Sequence, residues 1–69
     1  MSVARIVEIS STSNKSFEDA IVQGIARASK TLREIKSAWV KEQEVMVKGS
    51  KIEAYKVILK VTFVLEDTV

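Results

Sequence analysis

From Tyr55 to Leu65 every second residue is apolar: Tyr55, Val57, Leu59, Val61, Phe63 and Leu65. Side chains alternate across a strand with a period of two, so this run commits one whole face of a strand to a core. The intervening positions, Ile52, Ala54, Lys56, Ile58, Lys60, Thr62 and Val64, are mixed and far from fully polar. A sheet built on this strand needs cover on one face and has too little polarity on the other to stand bare.

One segment supplies the first cover. Phe17, Ala20, Ile21, Gly24, Ile25, Ala28 and Leu32 recur at spacings of three and four, the stripe of an amphipathic helix. Ser16 is placed to cap that helix, with Asp19 three residues on as a shorter capping-box acid. Gly24 costs about 1 kcal/mol against alanine inside a helix. Its place on the apolar stripe predicts a close approach to the sheet. Before the helix, Val3 to Ser10 reads as a strand, with Val3, Val7 and Ile9 on one face and Ala4 and Ile6 on the other. It ends in the polar cluster Ser10–Lys15. From Lys36 the period returns to two, with Ala38, Val40 and Met46 on one face and Ser37, Trp39, Lys41 and Gln43 on the other. A turn at Lys48-Gly49-Ser50-Lys51 leads into the final strand. The reading is an α+β domain spanning 1–69, of order β-α-β-β, with a three-stranded antiparallel sheet packed on one helix.

A 69-residue chain buries only about 60% of its unfolded surface. Domains this small gain stability from disulfides, a structural metal or association. There is no cysteine and no histidine, so disulfides and the usual zinc ligands are both absent. Self-association is the device that remains, and it also covers the second sheet face. The missing histidine and cysteine remove the common general base and thiol nucleophile, and Gly24 and Gly49 are too far apart for a phosphate loop. Glu42, Glu44 and Glu53 alternate along strands as a solvated rim rather than converging as catalytic acids. The chain therefore reads as a binding protein, not an enzyme. Its 11 basic and 9 acidic residues are interspersed, with no basic stripe for nucleic acid. No apolar run approaches the roughly 20 residues of a membrane span, and the start lacks a signal-peptide layout. A cytoplasmic location is expected.

Trp39 is the only tryptophan, and its strand face points away from the helix. A large aromatic there serves either as an anchor between copies or as a stacking platform for a flat ring, and the two uses are compatible. Lys41, Lys56 and Lys60 share that face. They serve either as solubilising charges bridged to nearby glutamates or as partners of an anionic ligand group.

Nearly end to end, the chain resembles the dodecins, very small flavin-binding proteins of β-α-β-β order. The resemblance is carried by Val7-Glu8-Ile9 before the Ser/Thr-rich turn and by Ser16 with Ala20 at the helix start. Ala26-Arg27-Ala28 with Thr31-Leu32-Arg33 follow, and then Tyr55 through Asp67, including Val61-Thr62-Phe63-Val64-Leu65-Glu66. It implies a hollow homododecamer with sheets lining the inside, which stores riboflavin or FMN as stacked pairs between subunits. Some relatives are reported to bind coenzyme A or calcium. Two positions depart from the flavin-binding pattern: Ser37 stands where the stacking tryptophan is expected, and Lys56 where a glutamine meets the ring edge. Trp39 lies two residues beyond the first, about 6.6 Å along the same strand face. The expected ligand residues are Trp39 for stacking, Ser37 and Gln43 at the ring edge, and Lys56 against a phosphate or ring carbonyl. The alternative is a flavin-free shell with a structural role, or one holding calcium or magnesium through carboxylates and carbonyls at no nominated residue.

Overall fold

The computed structural model describes residues 3–66; Asp67, at the end of the dodecin-like stretch, lies outside them. The elements are β1 (Val3–Ser13), α1 (Phe17–Ala28), β2 (Ile35–Lys48) and β3 (Lys51–Glu66). They form one antiparallel sheet in the order β1-β3-β2, so the strand with the longest apolar alternation is the central one. This is the expected β-α-β-β architecture.

The odd positions of β3 make the core. Val57, Leu59 and Val61 are fully buried beneath α1, together with Ala20. Val7 and Ile9 of β1, Val40 of β2, and Phe17, Ile21 and Ile25 of α1 pack around them. Phe17 meets Tyr55 edge-on, with ring centroids 5.2 Å apart. The cover is short, however. Twelve helical residues span about 18 Å, whereas the 16 residues of β3 span about 53 Å. The β2–β3 hairpin therefore projects past the helix, leaving Val45, Val47 and Ile52 exposed near its tip.

The local signals are kept with adjustments. Ser16 Oγ accepts from the Asp19 N–H at 2.9 Å, as an N-cap should. The Asp19 carboxylate does not close a capping box: it accepts from the buried Ser13 hydroxyl at 2.6 Å. That bond ties the end of β1 to the helix start, and β1 runs on to Ser13 where a polar turn was expected from Ser10. The helix stops at Ala28, and Leu32 reaches the core from the tight turns that follow, its N–H donating to the Ala28 carbonyl at 2.8 Å. Glu34 then takes a positive φ of 53° as the chain reverses into β2. At the hairpin, Lys48 pairs with Lys51 and Gly49 has φ of 64°, as a two-residue loop requires.

Gly24 fulfils its expected role. A Cβ on it would stand 3.0 Å from Ser11 Cβ and 3.3 Å from Leu59 Cδ1, a side chain that is itself fully buried. Alanine gains about 1 kcal/mol of helix propensity. Overpacking costs roughly 1–3 kcal/mol, and the fully buried Leu59 has little room to retreat. Gly24→Ala is expected to lose about 1 kcal/mol net in urea denaturation. A gain in stability would show that β1 shifts aside freely.

Candidate functional site

The candidate site is the sheet face turned away from α1. Its rows follow from the pairing of β3 with both neighbours. Glu8, Lys60 and Trp39 lie side by side; Ile6, Thr62 and Ser37 form the next row toward one end. In the other direction come Ser10, Ile58 and Glu42, and then Thr12, Lys56 and Glu44. Directly opposed residues share a face. Trp39 and Ser37 are therefore neighbours on the open face, as the alternation predicts, and Trp39 is 69% exposed.

A bulge corrects the rest of the β2 pattern. The register slips between Val40 and Glu42, leaving Lys41 without a partner on β3. Beyond an extra residue every later side chain changes face. Gln43 therefore stands opposite Val57 on the helix side and does not share the Trp39 face. Met46, expected with Ala38 and Val40, stands opposite Ala54 on the open face. Nothing in the composition of Trp39–Val45 marks the slip, so strict alternation carried the wrong parity through the bulge.

The charges on this face are arranged unequally. Lys41 Nζ reaches across β3 to Glu8 Oε2 at 2.9 Å. Lys56 Nζ lies 3.9 Å from Glu44 Oε1, a loose pair. Lys60 makes no ion pair within 4.0 Å among the described residues, and its ammonium sits over the Trp39 ring, 5.8 Å from the centroid. This contact was not legible in the sequence, because it depends on the register that sets Lys60 opposite Trp39. Lys56 is two rows away, about 13 Å along the strand.

The hydrogen bond and charge of Lys41 hold the Glu8 carboxyl below the ordinary carboxylate range, and Glu8 in turn raises the Lys41 ammonium above its ordinary value. The depressed acid favours the folded state above the ordinary carboxylate pKa, and that contribution disappears as pH falls through the lowered one. The raised base contributes below the ordinary lysine pKa and is lost as pH rises through the higher one. The pair is therefore intact across neutral pH, and both partners are exposed, so salt weakens it. In Lys41→Gln the Glu8 titration followed by carboxyl-carbon NMR is expected to move up toward its ordinary value. An unmoved titration would mean that the bridge does not persist in solution.

A concavity of roughly 680 Å³ lies elsewhere, between α1 and β1, lined by Val7, Ile9, Gly24, Arg27, Ala28 and Leu32 among others. Its floor is continuous with the core, and it is the unfilled margin between the helix and an edge strand. It is on the far side of the sheet from Trp39. Among the described residues no group of three or more acidic, histidine or cysteine side chains converges as a metal site. No helix among them is long and apolar enough to cross a membrane.

The comparisons with known proteins agree with this architecture. The profile model of the family described as Dodecin matches residues 3–66. A dodecin from Thermus thermophilus is 39% identical over 66 residues, covering 96% of each chain. A crystal structure from Thermus thermophilus superposes with a TM-score of 0.91 at 38% identity, over 99% of this chain and all of that one. The calcium dodecin of Mycobacterium tuberculosis, described as calcium-chelating with a novel calcium-binding site, superposes at 0.81 with 32% identity, over 99% of this chain and 97% of that one. With a central β3, a single short helix and an open face carrying an exposed aromatic, this chain belongs to the dodecin family.

Proposed function

We propose that the protein is a homododecameric binding protein that sequesters a flavin, riboflavin or FMN, or a similar flat ligand between subunits. The observation that carries this reading is the exposed Trp39 ring on a sheet face that one helix cannot cover. Family membership supplies the ligand class. The Trp39 ring stacks the ligand and Ser37, in the neighbouring row of the same face, meets its edge. The bound flavin supplies the redox-active and light-absorbing ring; the chain supplies a surface that holds and shields it. Lys56, two rows from Trp39, and Gln43, turned to the helix side, meet that ring only when a neighbouring copy provides them. Lys56 donates to a ring carbonyl or phosphate but cannot accept from a ring N–H, as a glutamine does.

Riboflavin and FMN titrated against the purified protein test the proposal, with flavin fluorescence as the signal and light scattering for the mass. Quenching at micromolar protein by a particle of about twelve chains is the expected result. Unquenched flavin removes the flavin reading.

A second reading is favoured by the likeness to the calcium dodecin. A shell of the same kind would hold calcium or magnesium by carboxylates brought together from several copies, with Glu42 of the open face as one donor and Glu44 as another once its loose pair with Lys56 is released. Calorimetric titration with calcium chloride after chelator treatment separates it from the first. Heat of binding without flavin quenching supports the ion reading alone.

A further inference from the structure

Among the described residues, the open face carries two lysines held in ion pairs, Lys41 and Lys56, and one that is not, Lys60. Lys41 is held by Glu8 at 2.9 Å and Lys56 lies against Glu44 at 3.9 Å. Glu8 is also the residue directly across from Lys60, so the carboxylate best placed to neutralise Lys60 is already bonded to Lys41. Glu42, one row on, pairs across the strand with Ile58. Lys60 is half-buried as a residue, and its ammonium is left over the Trp39 ring, 5.8 Å from the centroid.

We infer that Lys60 makes the Trp39 surface selective for flat aromatic ligands that carry an anionic group. A ring that stacks where the ammonium now lies displaces it from the indole face. A neutral ligand offers the displaced cation nothing in return. An anionic one offers an ion pair at the edge of the stack, on a face where the nearest carboxylate is already engaged. Four rotatable bonds let the ammonium swing to that edge while its backbone stays opposite Trp39. The inference rests on Trp39 as a stacking surface, as proposed above, and adds the chemical class that the surface accepts.

The test uses two pairs of probes that differ in charge: FMN against riboflavin, and anilinonaphthalene sulfonate against neutral N-phenylnaphthylamine. Binding is read from quenching of Trp39, the single tryptophan. The anionic member of each pair is expected to bind about three- to tenfold more tightly at low salt, the range for one charge at about 6 Å in a partly wet site. The preference should shrink in 1 M salt. Lys60→Gln should abolish it and Lys60→Arg should keep it, with circular dichroism unchanged in both. Equal binding of charged and neutral probes overturns the inference and leaves flavin binding standing, as does a preference that survives in Lys60→Gln. A Lys60-dependent preference among the naphthalene probes without flavin binding supports the inference and removes the flavin reading. No quenching by any of the four removes both.

Discussion

Leu59→Ala is expected to cost about 3–5 kcal/mol and to lower the midpoint of unfolding sharply. Leu59 is fully buried at the middle of β3, paired with Ile9 on one side and Val40 on the other. On the helix side its Cδ1 lies 3.3 Å from where a Cβ on Gly24 would stand. Truncating such a leucine removes its transfer free energy and leaves a cavity, for a total of about 2–5 kcal/mol. The close Gly24 backbone and the rigid strand pairings on both flanks limit collapse, which argues for the upper half of that range. A chain of this length has on the order of 3–10 kcal/mol in all, at about 0.05–0.15 kcal/mol per residue. The loss is thus a third of the total or more. The midpoint of thermal unfolding is expected to fall by roughly 15–30 °C and to depend more steeply on protein concentration, because folding is linked to association. Val22→Ala, on an exposed part of the helix, is expected to change stability by no more than about 0.5 kcal/mol. A Leu59→Ala cost below about 1 kcal/mol would mean that the core is not centred on β3.

Trp39→Ala is expected to remove flavin quenching while leaving the particle mass unchanged. With 69% of its surface exposed, Trp39 contributes little to the fold of its own chain beyond the Lys60 contact, worth about 0.5–1 kcal/mol. A stacked ring gains both buried apolar area and about 0.5–1.5 kcal/mol of ring–ring attraction. The combined loss on truncation is about 2 kcal/mol or more, or roughly a 30-fold weaker affinity. Flavin fluorescence gives the readout, because the variant has no tryptophan to follow. Trp39→Phe should keep part of the affinity. Dissociation to smaller species in light scattering would instead assign Trp39 to subunit packing and overturn the stacking role.

Much of the fold was legible because its signals are local and redundant. The β3 alternation, the helix stripe from Phe17 and the Ser16 cap each specify one element, and each was found where its pattern put it. Gly24 signals a close contact because glycine on an apolar helix stripe has few other uses. The errors arose where a local rule competed with a partner outside the segment. Asp19 fits a capping box with Ser16, three residues away, but its carboxylate is taken by Ser13 of the preceding strand. Leu32 fits the helix stripe, yet the helix ends at Ala28 and the turn delivers Leu32 to the same core.

The site shows the same division more sharply. Alternation alone places Trp39 and Ser37 on one face, since no irregularity separates them, but it overstates how apolar that face is: in its four central rows only Ile6, Ile58 and Trp39 are apolar. The remaining placements come from strand pairing. The bulge at Lys41 sends Gln43 to the helix side and frees Lys41 to reach Glu8 across the central strand. The register sets Lys60, and not Lys56, against the indole. Periodicity fixes the direction of a side chain within a strand, because it is a property of one backbone. Register and bulges belong to pairs of strands, and they are chosen by the packing of side chains that lie far apart in the chain.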